Sequence, residues 1–237
     1  PQGRVPELDD VDLTAARLVI EEAGERWLAP GDIRRLLEAY GLPVVAERVA
    51  STLEETFAAA DDLGYPVVVK TAAAGVHKTE QGGVALDLRD RDAVREAATR
   101  IGLPVLVQPF LHGGVEMLVG AFQDPVFGPL VALGPGGTMA ELIGDAGFRL
   151  APLTDTDADE LVQSGKAGLL VRGFRGAPPA DVSALADVVL RVARLADDLP
   201  EVAELDLNPV IAGPDGCVVV DARARIGPPP ASRLKSW

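Results

Sequence analysis

Lys70, His77, Lys78, Gln81, Gly82 and Gly83 fall within one short stretch, PVVVKTAAAGVHKTEQGGVALDL, which runs from Pro66 to Leu88. Val67, Val68 and Val69 form a β-branched run of the kind that buries both faces in a sheet, and Lys70 stands where another apolar residue is expected. A lysine in that place calls for an anionic partner. The loop beyond it holds small residues and glycine, which let backbone N–H groups approach a ligand closely, and anionic oxygen is the natural guest. Taken alone, the stretch is either a phosphate-handling hairpin or an ordinary one whose Lys70 snorkels to solvent.

Three further places hold residues able to do chemistry. Glu116 interrupts an alternating strand, GVEMLVGAF, where a charge is costly unless it is paired or on the solvent face. Gly134, Gly136 and Gly137 follow the apolar run Leu130–Leu133, which makes a glycine loop at a strand end with Thr138 and Glu141 behind it. In ELDLNPVIAGPDGCVVVDAR, Asp206 and Asn208 share a strand face by their period of two, and Asp221 closes the next strand. Converging carboxylate and amide oxygens suit a hard cation such as Mg²⁺, with phosphate and water completing its shell. Polar residues at the open end of a hairpin would look the same.

The 237-residue chain carries a net charge of −14 with a sequence pI near 4.5, which argues against nucleic acid or an anionic membrane surface as the main partner. A polyphosphate ligand would then need local lysines and a divalent cation. At 48% hydrophobic residues and a mean hydropathy of +0.18, the chain has material for a compact core. Its single cysteine, Cys217, excludes an internal disulfide and a cysteine zinc cluster. Without a signal peptide or a long apolar run, the expected location is cytoplasmic. The first residue is Pro1 and not Met, so the chain is expected to be part of something longer.

These residues need a scaffold. Amphipathic spacing predicts a helix over Asp12–Leu28, and Pro30 opens a second that Gly41 stops. A strand over Pro43–Arg48 follows, then a helix over Thr52–Leu63 capped by Ser51 or Thr52. After the glycine hairpin come a helix over Arg91–Ile101 and a strand over Pro104–Phe110. Later, DPVFGP turns the chain, Ala146–Leu150 is a strand, and helices are expected at Asp155–Ser164 and Ala180–Leu199. Gly165–Pro179, with Arg172 and Arg175, is expected to be loop. The last unit is a hairpin turning at Gly213–Gly216. Strands and helices in this order indicate an α+β or α/β fold.

A strand-end lysine, a glycine loop, VLVQPF, the strand around Glu116, a second glycine loop and ELDLNP with VVVDAR occur in this order in ATP-grasp enzymes. The chain resembles the ATP-grasp part, of β-subunit type, of NDP-forming acyl-CoA synthetases, the acetate–CoA ligase group related to succinyl-CoA synthetase. The resemblance runs from LLEAYGLPV through VVVKTAAAGVHKTEQGGV, DPVFGPLVALGPGGTMAELIGDAGFRLAPL and LVRGFRG to ELDLNP.

The resemblance implies two subdomains gripping nucleotide between antiparallel sheets, with residues 1–29 a helical segment, 30–110 the first subdomain and 111–237 the second. It implies ATP/ADP and Mg²⁺ as cofactors. Lys70 would contact the α- and β-phosphates, with Lys78, Gly82, Gly83, Gly136 and Gly137 also lining the nucleotide. Gln108, Pro109 and Phe110 would be the hinge beside adenine, and Glu116 would bind ribose or order the site. Asn208 and Asp221 would hold Mg²⁺. His77, in HKTE where the family commonly has HKSD, matches the histidine that takes a phosphoryl group. The family's CoA-binding domain and second phosphohistidine domain are not in these 237 residues, so they are expected as partners. Similar segments also occur fused to Gcn5-like protein acetyltransferases, where the region would sense a ligand.

Overall fold

Glycine and proline set the first boundaries of the fold. The computed structural model describes residues 3–73, 82–137 and 144–229. Their contacts divide the chain into a larger unit, Pro1–Val44 with Gly114–Trp237, and a smaller one, Val45–Gly113. Helix α1, Leu13–Ala23, is capped by the Asp12 carboxylate, which accepts the Ala15 N–H at 2.9 Å. It stops five residues short of the expected Leu28, because Gly24 turns out of helical space at φ +61°. The residues beyond it bond elsewhere: Leu28 N–H donates to the Ala224 carbonyl at 2.9 Å, and Ile226 N–H to that of Arg26 at 2.8 Å. Pro30 opens α2, Pro30–Ala39, in the first turn, where its missing N–H costs nothing.

In the smaller unit, strand β1 is Arg48–Ala50 and not the expected Pro43–Arg48. Val44 makes only an isolated bridge to Val219, within the larger unit, so the pairing breaks where the chain leaves one unit for the other. Helix α3, Leu53–Leu63, is capped by Thr52, whose Oγ1 accepts the Glu55 N–H at 3.1 Å. Strands β2, Val67–Thr71, and β3, Val84–Leu88, helix α4, Arg91–Ile101, and strand β4, Val105–Pro109, complete the unit. The sheet order is β1-β4-β2-β3 and every pairing is antiparallel. Alternation then sorts the side chains. Ala50, Val67, Val69, Val105 and Val107 join Ala59, Ala60, Val94, Ala97 and Ala98 of α3 and α4 in one buried cluster. Val68, Lys70, Leu106 and Gln108 stand on the other face.

The larger unit resumes with β5, Val115–Asp124, β6, Gly128–Pro135, and β7, Gly147–Leu150. The turn between β5 and β6 is held by Asp124, whose Oδ1 accepts the N–H groups of Val126 and Phe127, both at 2.8 Å. Helix α5, Asp155–Gln163, begins with a capping box between Thr154 and Asp157. The expected loop Gly165–Pro179 contains helix α6, Gly165–Val171, and a 3-10 turn at Phe174–Gly176. The short helix forms because Ala167 and Val171 bury against the core, a tertiary gain that local pattern does not announce. Helix α7 is Val182–Asp198. Strands β8, Val202–Gly213, β9, Gly216–Val219, and β10, Ala222–Ile226, finish the unit; β10 was not foreseen.

These strands form a six-stranded antiparallel sheet ordered β10-β8-β5-β6-β7, with β9 also paired to β8. Met117, Val119, Val131, Leu133, Leu205 and Leu207 pack with Leu185, Val189, Val192 and Leu195 of α7 in the main core. Each of those α7 side chains is 0% exposed, and burying one contributes about 1.5–3 kcal/mol, more than helix propensity at any position. The face away from α7 carries Glu116, Gly120, Phe122, Ala132, Phe148, Glu204 and Asp206. No helix among the described residues is long and apolar enough to cross a membrane.

Candidate functional site

The smaller unit carries its chemistry on the sheet face away from α3 and α4. Lys70, opposite Leu106 on β4 and Val84 on β3, is only 4% exposed, so the reading in which it snorkels to solvent is set aside. An ammonium group this buried needs hydrogen-bonding or ionic company. Gln108, opposite Val68 and 1% exposed, shares the face with Lys70. Pro109 pairs with Val67, and the Phe110 N–H donates to the Pro66 carbonyl at 2.9 Å, so the sheet extends through the expected hinge. The Phe110 ring meets His112 edge to face with centroids 4.8 Å apart.

Gly82 and Gly83 close the β2–β3 loop: Gly82 has φ +67°, and the Gly83 carbonyl accepts the Thr71 N–H at 2.9 Å. His77 and Lys78, with Gln81, lie outside the described residues. One residue escaped the reading of the sequence. The β1–β4 register pairs Arg48 with Val107, and one step further Glu47 stands beside Gln108. The Gln108 Nε2 donates to Glu47 Oε2 at 2.8 Å. An isolated acidic residue ahead of a three-residue strand gives no signal until that register is known.

In the larger unit, five of the expected residues converge. The register between β5 and β8 jumps: Met117 faces Val210 and Val119 faces Leu207, which leaves Asn208 and Pro209 together opposite Leu118. This bulge re-aims the strand, and Pro209 suits it because it has no N–H to give the ladder. On the other side of β8, β9 covers Val210–Gly213 and β10 covers the stretch from Val202 to Leu207. The partner strand therefore breaks at Val220–Asp221, level with the bulge. Two backbone bonds span the gap: Asn208 N–H to the Asp221 carbonyl and Val220 N–H to that of Pro209, both at 3.0 Å.

The second glycine loop meets the same point. Gly137 N–H donates to Asn208 Oδ1 at 2.8 Å, and Gly136 N–H donates to the Glu116 carbonyl at 2.8 Å. A Cβ on Gly136 would fall 2.4 Å from the Met117 carbonyl carbon, so only glycine fits. One on Gly137, where φ is +62°, would fall 1.6 Å from Glu116 Oε2. The exposed Glu116 side chain thus lies against the glycine loop. Asp206 is not drawn into this cluster: it faces Arg223 across β10 and pairs with it at 3.0 Å, while the Arg223 guanidinium sits 5.6 Å from the Trp27 ring. Arg172 donates to the Gln163 carbonyl at 3.2 Å, a structural contact.

The polar side chains around the bulge offer oxygen: the Asn208 amide, with a second lone pair beyond its bond to Gly137, the Glu116 carboxylate against the glycine loop, and Asp221, whose Oδ1 accepts the Ala222 N–H at 3.0 Å. Such donors suit a hard divalent cation that takes its remaining ligands from phosphate and water. Cys217 adds no chemistry here. Burial, reinforced by Asp181, pushes its thiol up to about 12, so it is a neutral thiol at neutral pH.

Comparison with known proteins follows the same course. The family described as "ATP-grasp domain" matches residues 19–226. The acetate–CoA ligase [ADP-forming] I of Archaeoglobus fulgidus is 39% identical over 237 residues, covering 92% of this chain and 35% of that protein. The β subunit of acetate–CoA ligase [ADP-forming] I of Pyrococcus furiosus is 37% identical over 223 residues, covering 88% of this chain and 96% of the subunit. The chain thus spans about a third of the one relative and nearly all of the other. Among solved structures, the acetyl-coenzyme A synthetase 1 of Ca. Korarchaeum cryptofilum in complex with coenzyme A, Ca-AMPCP and HgCl⁺ matches with a TM-score of 0.83 at 38% identity, covering 89% of this chain and 98% of that one. A second structure of that enzyme, with coenzyme A and Mg-AMPPCP and its phosphohistidine segment pointing towards the nucleotide binding site, matches with a TM-score of 0.77 at 39% identity, covering 90% and 99%.

Proposed function

Because this chain belongs to the ATP-grasp family, and within it to the β-subunit type of the ADP-forming acetate–CoA ligases, we propose that it is the part of an acyl-CoA ligase that binds MgATP and passes a phosphoryl group through a histidine. The observation that carries this reading is the convergence of Glu116, Gly137, Asn208 and Asp221 at the β8 bulge. The relative from Ca. Korarchaeum cryptofilum, solved with a magnesium nucleotide analogue and a phosphohistidine segment, supports the same ligands here.

In this reading Asn208 and Asp221 hold Mg²⁺, which when bound neutralises charge on the phosphate oxygens. The buried Lys70 ammonium offsets charge on the α- and β-phosphates, and Gly82 and Gly83 offer backbone N–H groups to the γ-phosphate. Gln108, Pro109 and Phe110 border adenine, and Glu116 orders the glycine loop or meets ribose. His77, as neutral imidazole, attacks the γ-phosphorus; the new N–P bond forms as the bond to the β-phosphate oxygen breaks, and ADP leaves. Lys78 beside it adds positive charge. The remaining steps to CoA would belong to CoA-binding and second phosphohistidine domains, on the same chain or a partner.

The test is transfer of label from γ-labelled ATP with Mg²⁺ in the full-length protein. Acid-labile, base-stable label is expected in the wild type and in His112→Ala, and is expected to vanish in His77→Ala. Label that survives His77→Ala and vanishes in His112→Ala would reassign the acceptor. No label in the wild type, with partner domains supplied, would overturn phosphoryl exchange.

A further inference from the structure

We infer that Arg223, by holding the Asp206 carboxylate, makes divalent-cation binding at Asn208 and Asp221 conditional on nucleotide. The inference rests on the reading of those two residues as the cation's ligands.

The geometry is a ladder of facing side chains between β8 and β10. Register sets Glu204 opposite Arg225 and Asp206 opposite Arg223, while the buried Leu205, Leu207 and Ala224 alternate with them on the core side. Both facing pairs join acid to base: Glu204 Oε2 lies 3.7 Å from Arg225 Nε, and Asp206 Oδ2 lies 3.0 Å from Arg223 Nη2. The same count carried one step further sets Asn208 opposite Asp221, whose carbonyl accepts the Asn208 N–H at 3.0 Å. There the pattern changes, because β10 supplies a carboxylate and β8 an amide.

Asp206 stands two residues from Asn208 on the same face, roughly 7 Å away along the strand. Its partner is decided by its neighbours: on β5 it faces Gly120, which has no side chain, and on β10 it faces Arg223. The guanidinium is itself steadied by the Trp27 ring at 5.6 Å. The Arg223 and Asp206 side chains are 18% and 24% exposed, so water screens them less than it does a surface pair.

Charge count tunes a cation site of this kind. Mg²⁺ is commonly held by one or two carboxylates together with substrate phosphates, and added carboxylates strengthen binding by protein alone. With Asp206 engaged by Arg223, Asn208 and Asp221 leave the remaining charge to the nucleotide, so cation and nucleotide bind together. Without the guanidinium, Asp206, Asn208 and Asp221 would present two carboxylates and an amide from one sheet face. Such a trio can hold a divalent cation with no nucleotide present. Arg223 is therefore a positioning residue that acts through Asp206.

The measurement is Mn²⁺ binding to the full-length protein without nucleotide, read from the electron paramagnetic resonance signal of the free ion. Arg223→Met keeps a long side chain against Trp27 and removes the charge, and should tighten Mn²⁺ binding by at least about tenfold. Arg223→Gln carries the same expectation should the Met variant not fold, and thermal unfolding checks each variant. Arg223→Lys can still pair with Asp206 and should stay within about threefold of the wild type, as should Arg225→Met, which removes the same charge one pair away. Adding Asp206→Asn to Arg223→Met should erase the gain. Unchanged Mn²⁺ affinity in the folded Arg223→Met protein would overturn the inference and leave the cation reading intact. So would a gain matched by Arg223→Lys, or a wild type that binds Mn²⁺ as tightly without ATP as with it. A gain that survives Asp206→Asn, or one matched by Arg225→Met, would overturn the inference by assigning the effect to general charge. If the wild type binds ATP no more tightly with Mn²⁺ than with the cation chelated, the cation reading and this inference fall together.

Discussion

Gly137 donates its backbone N–H to Oδ1 of Asn208 at 2.8 Å across 71 residues of sequence. That bond orients an amide oxygen that stands in a strand bulge, and a glycine with φ +62° is what brings the N–H to it. Two kinds of crowding surround the pair. The Cβ of a substituted Gly136 would strike backbone at Met117, whereas that of Gly137 would strike the Glu116 side chain. Backbone cannot step aside, but an exposed glutamate can. Gly136→Ala is therefore expected to destabilise the fold by about 1–3 kcal/mol with no rescue by Glu116→Ala. Gly137→Ala should cost about 1–3 kcal/mol and recover part of it in the Glu116→Ala background, the remainder being the left-handed backbone cost. Denaturant unfolding of the single and double variants measures both. Equal rescue of the two glycine variants would remove the distinction.

The oxygen donors at the bulge give a second expectation. Asp221→Asn keeps the side-chain volume and removes the charge, so MgATP binding should weaken by about 1–3 kcal/mol. The same substitution should change nucleotide binding little when the divalent cation is chelated, because its effect acts through the cation. Titration calorimetry with and without chelator separates the two, and an equal loss in both conditions would assign Asp221 a direct role on the nucleotide.

Much of this scaffold was legible because its signals are local. The Val67–Val69 run, the alternation through Glu116 and the turn residues at Asp124 and Gly213 mark strands and hairpins that the chain then forms. Caps are equally local: Thr52 and Glu55 lie within one helical turn. What escaped depends on residues distant in sequence. The early end of α1 reflects sheet bonds from Arg26 and Leu28 to Ile226 and Ala224, about two hundred residues later. The bulge at Asn208–Pro209 exists only against β5, and Glu47 gains meaning only beside Gln108. A period-two reading placed Asp206 and Asn208 on one face, and they flank the buried Leu207 as it requires, but the Asp206 carboxylate is taken by Arg223 on the neighbouring strand, a partner that only the register reveals. His77 and Lys78 lie outside the described residues, so their roles rest on sequence.

Among the bonds that tie the N-terminal helices to α7, alongside those of Arg17 and Arg191, one comes from a buried hydroxyl, and it makes stability sensitive to alkali. Tyr40 is 0% exposed, and its OH donates to Asp198 Oδ2 at 3.2 Å. Burial first, and then the Asp198 carboxylate, raise the phenol above its ordinary range, while Arg194 and Arg17 oppose the shift. The folded state therefore favours the neutral phenol. A pKa raised on folding gives stability that is complete below the unfolded value of about 10 and is lost as pH rises from there through the folded value. Unfolding free energy should fall above pH 10 with a slope of up to about 1.4 kcal/mol per pH unit from this group. Tyr40→Phe should cost about 1 kcal/mol at neutral pH by losing the bond, and more if the Asp198 carboxylate stays desolvated. The variant should also lose this slope, so the two stability curves approach each other in alkali. Urea unfolding of both proteins at pH 7, 9, 10 and 11 measures the crossing, and parallel curves would show that Tyr40 does not govern the alkaline limb.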